Sequence, residues 1–164
     1  MRARQNGTAT VEFAFVGLAF LLLMLGVLEF GRMMFVWNAV ADATRLGARA
    51  AAVCPPAQDA VIKGIARYDP SGAGTGLFPA GLTPATLVLT YLDAAGNPLA
   101  APTGAAAGQN VRWVRMQVQG YQYQPLLPGL GPIAVPAFTT TVPRESLGVV
   151  PITIPAERPV NCIN

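Results

Sequence analysis

The chain has 164 residues, of which 52% are hydrophobic and only 12% are charged, and its formal net charge is +3. A globular domain carries roughly 25% charged residues, so this composition argues against a wholly soluble protein. No basic run is dense enough to follow a phosphate backbone, and we expect no nucleic-acid partner. Histidine is absent, which removes the commonest general base and the commonest metal ligand.

The N-terminal segment has the composition of a membrane-spanning helix with a short polar leader. Residues 1–7 are polar and basic, whereas residues 13–28 contain no charged or strongly polar side chain. Together with its apolar flanks, this run reaches the roughly 20 residues that a span requires, and we place the span at about residues 11–36. A single-pass protein in contact with membrane lipid follows.

The helix is predicted to continue well beyond the membrane. Nothing interrupts the helical pattern before Pro55-Pro56, and a helix over residues 8–53 would be about 68 Å long. Glu29 and Arg32 are three residues apart, so they are expected to form an ion pair on one helix face where the span meets water.

The second half of this helix is amphipathic. The apolar positions recur at spacings of three and four, which predicts a packed face made of Val36, Ala39, Val40, Ala43, Leu46, Ala50 and Val53. A stripe of small residues at four-residue spacing would permit close approach of another helix, and it consists of Ala39, Ala43, Gly47 and Ala51. The alternative is that this face packs on the C-terminal part of the same chain.

The period of the pattern changes after the double proline. Residues 57–68 predict a short amphipathic helix, with Val61, Ile62, Ile65 and Tyr68 on one side. Strands are expected at 86–92, 111–123 and 137–142, with turn chemistry at 93–98. Slips in the alternation predict bulges at Trp113-Val114 and at Gly120.

These elements indicate an α+β fold in which a long N-terminal helix carries a small antiparallel sheet. We divide the chain into a short polar leader at residues 1–7, the helix at 8–54 and a C-terminal α+β domain at 55–164. Cys54 and Cys162 are the two cysteines. If the domain is exported they can pair only with each other, which stabilises by roughly 4–5 kcal/mol in the chain-entropy model. In a reducing compartment they would remain two buried thiols.

The sequence contains no recognisable catalytic or cofactor-binding constellation. The stretch at residues 71–76 (SGAGTG) resembles a phosphate loop superficially, but it lacks the lysine and the flanking strand and helix. The two serines, Ser71 and Ser146, have no histidine or nearby lysine to activate them. We therefore predict no enzyme, no catalytic residue, no metal and no cofactor.

The strongest functional signal is Glu12, a carboxylate at the mouth of the apolar run. Such a charge costs a few kcal/mol in a membrane unless it is paired. Gly7 lies five residues earlier, and a glycine fits a narrow protease pocket because it has no side chain. Cleavage after Gly7 would create an amine on Thr8, which is cationic near neutral pH. Glu12 of one subunit could then pair with the amine of a neighbouring subunit and fix the stagger between parallel helices.

This arrangement resembles the class III signal of type IV pilin-like proteins. More narrowly, residues 7–53 resemble the TadE-like family of the tight-adherence (Flp) pilus system. The elements that carry the resemblance are Gly7, Glu12-Phe13-Ala14, the leucine-rich run, Leu28-Glu29-Phe30-Gly31-Arg32 and residues 43–51 (ATRLGARAA).

The resemblance implies a minor pilin or pseudopilin that is involved in pilus biogenesis. It implies cleavage by a prepilin peptidase between Gly7 and Thr8, and assembly through a helix to which Glu12 and Phe13 contribute. The implied partners are that peptidase, other pilins or pseudopilins and the inner-membrane assembly platform. The implied location is the bacterial inner membrane with the C-terminal domain periplasmic, and association with a pilus at the cell surface.

Two other interpretations remain open from the residues alone. The chain could be a periplasmic binding module of unknown ligand on an uncleaved signal anchor, with Glu12 an incidental charge. It could also be a secreted protein with a removable signal, although the nearest small-x-small sites lie far downstream of the run. Arginines flank the run on both sides, so counting positive charges does not decide the orientation.

Overall fold

In the computed structural model, one continuous helix forms the N-terminal third of the chain. The structure describes residues 7–69, 81–100, 102, 110–127, 129–148 and 162. Helix α1 runs over Thr8–Val53, 46 residues, which confirms the predicted length. It ends because Cys54 takes an extended conformation ahead of Pro55, and the last bond of the ladder joins the Cys54 amide to the Ala50 carbonyl.

The two halves of α1 have different surroundings. Every side chain from residue 8 to residue 28 is exposed except at the half-buried Gly17, and this half is long and apolar enough to cross a membrane. From Glu29 onward the helix contacts the rest of the chain. The single-pass anchor that the composition predicts therefore fits the fold, and the last eight residues of the predicted 11–36 span lie beside the domain.

The buried face of the second half differs from the predicted one. Val36, Val40 and Ala43 are buried as expected, but Leu46 and Ala50 are only half-buried and Val53 is exposed. The face is instead completed by Thr44, Gly47, Ala48, Ala51 and Ala52. The prediction followed the larger side chains, whereas the contact with the domain is made where small residues allow the backbones to approach closely.

The segment after α1 forms a shorter helix than predicted. A 3₁₀ turn over Pro56–Gln58 leads into α2, Asp59–Ala66. The helix stops because the amides of Arg67 and Asp69 both bond to the Gly64 carbonyl. Tyr68 has a positive φ of 57° and is exposed, so its placement on the apolar face of this helix was wrong. Its hydroxyl donates to Asp42 on α1 at 2.6 Å.

The domain is built on an antiparallel sheet of three strands. After a 3₁₀ turn at Pro84–Thr86, β1 spans Leu87–Leu92, β2 spans Trp113–Val118 and β5 spans Thr139–Pro143, with β2 in the centre. Two short strands, β3 (Gln122–Tyr123) and β4 (Ile133–Ala134), pair separately. The α+β fold class predicted from the sequence is confirmed.

Two details of the predicted strands were wrong. The register runs without interruption from Leu92↔Trp113 to Leu87↔Val118, so β2 has no bulge at Trp113-Val114. Trp113 breaks the apparent alternation because it lies on the outer face of the sheet, 42% exposed. At Gly120, where φ is +68°, the chain leaves the first sheet altogether and begins the second.

The turn between residues 93 and 98 has the chemistry that its sequence predicts. The Asp93 carboxylate accepts hydrogen bonds from the amides of Ala95 and Asn97, each at 2.8 Å. These bonds hold the pKa of Asp93 below its usual value, the contacts with Asn97 being the largest cause. Gly96 supplies the positive φ of 86° that the reversal requires.

The core lies where α1 and α2 cover one face of the three-stranded sheet. Its fully buried residues come from α1, α2 and the sheet, and they include Val40, Ala43, Ala48, Ile62, Leu87, Val114, Met116 and Val118. The hydroxyl of Thr44 on α1 donates to the Ala41 carbonyl at 2.7 Å and forms a second hydrogen bond with the Thr140 hydroxyl on β5 at 2.8 Å. A polar group buried at this contact is therefore satisfied.

Gly47 is the closest point of this packing and provides a direct test of it. A Cβ at Gly47 would lie 2.8 Å from Met116 Cε and 2.9 Å from Ala66 Cβ. We predict that Gly47→Ala lowers the free energy of unfolding by about 1–3 kcal/mol, the usual cost of overpacking. Denaturant unfolding of the detergent-solubilised protein, followed by near-ultraviolet circular dichroism, measures it.

Gly31→Ala is the matched control for this substitution. A Cβ at Gly31 meets no described atom within 4 Å, and alanine is the better helix former by up to about 1 kcal/mol. This variant is expected to be as stable as the parent or slightly more so. Equal stability of the two variants would contradict the packing described above.

Candidate functional site

The exposed half of α1 carries the residues that the sequence singles out for processing and assembly. Gly7 is the N-cap residue of the helix, and its carbonyl accepts a hydrogen bond from the Val11 amide at 3.3 Å. Thr8 is the first helical residue, so the bond between Gly7 and Thr8 lies at the point where regular helix begins. Phe13 is 77% exposed.

Glu12 lies one turn into the helix, on a face shared with Thr8, Phe15 and Val16. Within the described part of the chain, the ion pairs are Glu29–Arg32 and Lys63–Asp59, and neither includes Glu12. The carboxylate is thus presented outward beside apolar side chains. A helix with this surface in a membrane favours a partner that brings a compensating positive charge.

Glu29 and Arg32 form an ion pair, with Arg32 Nη2 3.1 Å from Glu29 Oε1. The same carboxylate oxygen accepts a hydrogen bond from the Tyr123 hydroxyl and another from the Leu126 amide at 3.2 Å. Arg32 also donates to the Gln124 carbonyl, and its guanidinium lies 4.8 Å from the centre of the Tyr123 ring. We call these five residues the junction cluster.

The junction cluster joins the helix to the β3 region of the domain. Charge-assisted hydrogen bonds are the stronger kind, and a guanidinium over an aromatic face adds a further attraction. Burial, and after it the hydrogen bond to Glu29, raise the pKa of Tyr123, so its hydroxyl remains a donor at neutral pH. Reasoning from sequence found the Glu29–Arg32 pair but missed Tyr123, because nothing in a sequence links residues 94 positions apart.

The stripe of small residues on α1 faces the protein's own domain. Ala43, Gly47 and Ala51 are buried, and Ala39 is half-buried. The atoms nearest to Gly47 belong to Met116 on β2 and Ala66 on α2. Of the two alternatives for this stripe, packing on the same chain is therefore the one that the structure contains.

A disulfide closes the domain against the end of α1. Cys54 and Cys162 are bonded, with their Cα atoms 5.7 Å apart and a separation of 108 positions in sequence. The Cys162 amide donates to the Gln58 side chain at 3.2 Å. Nearby, the amides of Glu145 and Leu147 both donate to the Ala52 carbonyl, so the terminal carbonyls of the helix are satisfied by the chain that follows β5.

No arrangement for metal or nucleophilic chemistry occurs in the portion of the chain that the structure describes. Among those residues, no three of His, Cys, Asp and Glu come together as a ligand set. The stretch at 71–76 lies outside the described residues, and Ser146 donates its hydroxyl hydrogen bond to the Val53 carbonyl. The functional features with a defined geometry are the exposed helix half and the junction cluster.

The fold and these features define a class: an α+β protein whose N-terminal helix fits a single-pass membrane anchor. Comparison with family models adds a likeness for the helix: the model described as "TadE-like protein" matches residues 7–49, about a quarter of the chain. The match covers Gly7, Glu12, Glu29, Arg32 and most of the packed face, and it confirms the resemblance inferred for this segment. For this segment, the match indicates a relation to the Tad pilus. No curated protein and no solved structure matches the chain.

The junction cluster can be tested by removing one hydroxyl. We predict that Tyr123→Phe costs about 1.5–3 kcal/mol, the typical value of a hydrogen bond to a charged group. The effect should be local, because Glu29 keeps Arg32 and the Leu126 amide. Hydrogen exchange of the Leu126 amide measures it, with an expected acceleration of at least about tenfold.

Tyr91→Phe is the control with the same chemical change. The Tyr91 hydroxyl is buried and has no hydrogen-bond partner among the residues that the structure describes. Its removal is expected to leave the Leu126 amide unchanged and to be neutral or stabilising overall. Equal exchange rates in the parent and the Tyr123 variant would show that the hydroxyl does not hold the cluster together.

Proposed function

We propose that this protein is a minor pilin or pseudopilin of a tight-adherence pilus, which a prepilin peptidase cleaves after Gly7. The observation that carries the proposal is the match over residues 7–49 on a helix whose first 21 residues have no covering from the domain. A helix exposed over that length must be surrounded by lipid or by other helices, because an exposed apolar surface of this size is unfavourable in water.

The proposed assembly rests on the pairing of charges between subunits. Cleavage makes Thr8 the N-terminal residue and Glu12 the fifth, so the new amine and the carboxylate lie one helical turn apart on each subunit. When two such helices lie parallel with an axial offset, the amine of one can meet the carboxylate of the other. The pair offsets the cost of both charges in lipid and selects one stagger.

The remaining features agree with export of the domain. A bridge between Cys54 and Cys162 is typical of proteins in an oxidising compartment. We therefore propose a leader at residues 1–7, of which 1–6 lie outside the described residues, an anchor in the inner membrane and a periplasmic domain. The proposed partners are the peptidase, other pilins or pseudopilins and the assembly platform.

Processing is tested by enlarging the residue before the cleavage point. A Cβ at Gly7 meets no described atom within 4 Å, so Gly7→Leu leaves the fold unchanged and any defect reports recognition by the peptidase. We predict that cleavage slows at least about tenfold, which corresponds to 1.4 kcal/mol of lost transition-state binding. N-terminal sequencing of the membrane-extracted protein measures it, with the parent beginning at Thr8.

Gly17→Leu is the matched control, because a Cβ at Gly17 also lies in open space. It makes the same chemical change ten residues into the helix and is expected to be cleaved at the parental rate. A parent protein that retains Met1, or begins beyond residue 40, would contradict the proposal.

Assembly is tested by neutralising Glu12. We predict that Glu12→Gln is inserted and cleaved normally but reduces the yield of pili at least about tenfold, since an unpaired amine in lipid costs a few kcal/mol. Glu12→Asp keeps the charge on a side chain one methylene shorter and should retain a substantial part of the parental yield. Pili are counted by electron microscopy, with membrane levels checked by immunoblot. Normal pili from Glu12→Gln would favour a signal-anchored binding module instead.

A further inference from the structure

The connection between β3 and β4 exposes an unusual amount of apolar surface. Leu126 is 74% exposed and Leu130 is 55% exposed, while Leu127 between them is half-buried. Gly129 has a φ of +93°, which reverses the chain between these leucines. We call Leu126, Leu127 and Leu130 the leucine turn. Large apolar side chains grouped at a turn are unfavourable in water and indicate a contact surface.

The leucine turn lies beside the last turn of the apolar half of α1. Leu126 and Leu127 line a groove of about 270 Å³ whose other walls are Leu25, Leu28, Glu29 and Arg32. The Leu126 amide donates to Glu29 Oε1 at 3.2 Å, so the junction cluster holds the turn at this level of the helix. The leucine turn and the end of the apolar run therefore form one continuous apolar surface.

The position of this surface along α1 indicates what covers it. Residues 8–28 span about 32 Å at 1.5 Å per residue, close to the roughly 30 Å thickness of a bilayer hydrocarbon core. If these residues cross the membrane, Leu28 lies at the edge of the hydrocarbon and Glu29 and Arg32 lie among the lipid headgroups. The leucine turn is then at the headgroup boundary on the same side as the domain.

We infer that the leucine turn is a second membrane contact, which inserts Leu126 and Leu130 into the lipid interface next to the spanning helix. Its ligand is a phospholipid surface, and the inference rests on the membrane span assumed in the proposed function. A lone helix is free to rotate about its axis and to change its tilt. A second contact beside the helix restricts both motions, because tilt and rotation are set by packing and interfacial anchors.

This restriction has a consequence for assembly. The domain is attached to α1 through its packed face and the junction cluster. When the leucine turn rests on the bilayer, each subunit presents the same side of its exposed helix in the membrane plane. The leucine turn thus orients the subunit before it meets a partner, and it leaves the membrane when the subunit is extracted.

Site-specific fluorescence on the full-length protein tests this inference. The oxidised protein is reconstituted into vesicles of phosphatidylethanolamine and phosphatidylglycerol, and single cysteines are introduced and labelled with an environment-sensitive dye without reduction. The labelled positions are Leu126→Cys and, as an independent second site, Leu130→Cys. Lipids with a quencher attached near the headgroup are expected to lower the emission at both sites by roughly twofold, as shallow insertion requires.

Two further positions serve as references. Phe20→Cys lies in the middle of the apolar half of α1 and reports whether the helix spans the membrane, in vesicles whose lipids carry the quencher in the middle of the acyl chain. Ala94→Cys is an exposed site in the turn after β1, at the opposite end of the domain. At that end of the sheet Leu92 pairs with Trp113, and Trp113 pairs with Pro143. Two residues later the Glu145 amide donates to the Ala52 carbonyl, so this end of the sheet lies beside the C-terminal end of α1. Ala52 lies about 35 Å along the helix from Glu29.

The outcomes separate the inference from the function on which it rests. Quenching at Phe20, Leu126 and Leu130 but not at Ala94 supports it. Quenching at Phe20 alone overturns the leucine turn as a membrane contact and leaves the span intact. Absence of quenching at Phe20 overturns both. Emission at Leu126 that changes with the number of protein molecules per vesicle, and not with the lipid quencher, assigns the surface to a second copy of the chain and overturns the inference.

Discussion

At Glu29, helix α1 passes from an exposed apolar half to a half that packs on the domain, and the organisation of the protein depends on this change. Up to Leu28 the helix has no covering from the domain, whereas from Glu29 it is joined to Tyr123 and the backbone that follows. A carboxylate at the edge of an apolar run is unfavourable without partners. Arg32, the Tyr123 hydroxyl and the Leu126 amide satisfy it and attach the domain to the helix at the same time.

Small residues explain how the helix and the sheet fit together in the part of α1 that follows Glu29. Alanines and Gly47 allow the backbone of α1 to approach β2 and α2 closely, and the side chain of Met116 fills the space over Gly47. At the far end, the disulfide at Cys54 and the bonds to the Ala52 carbonyl close the structure. The second half of the helix is therefore attached to the domain at both of its ends and along its length.

This arrangement divides the tasks of the helix along its length. The four-residue stripe of small residues is used inside the subunit, so it is unavailable for pairing with another helix. Contacts between subunits in the proposed pilus are left to the exposed half, where Glu12 carries a charge and the other side chains from Val11 to Leu28 are apolar. One helix thus provides both a fixed attachment for the domain and a free surface for assembly, because its partners change at a single charged residue.

The features that could be predicted from the sequence alone are those that depend on interactions between residues close together in the chain. The length of α1 follows from an unbroken helical pattern ended by two prolines, the turn at Asp93 from its side-chain hydrogen bonds, and the Glu29–Arg32 pair from a spacing of three. Tertiary structure decided the rest. The buried face is rotated toward Thr44 and Ala48, Trp113 lies outside, and Tyr123 meets Glu29, because each depends on which surface the sheet presents. Periodicity along one element contains no information about the shape of the surface that packs against it.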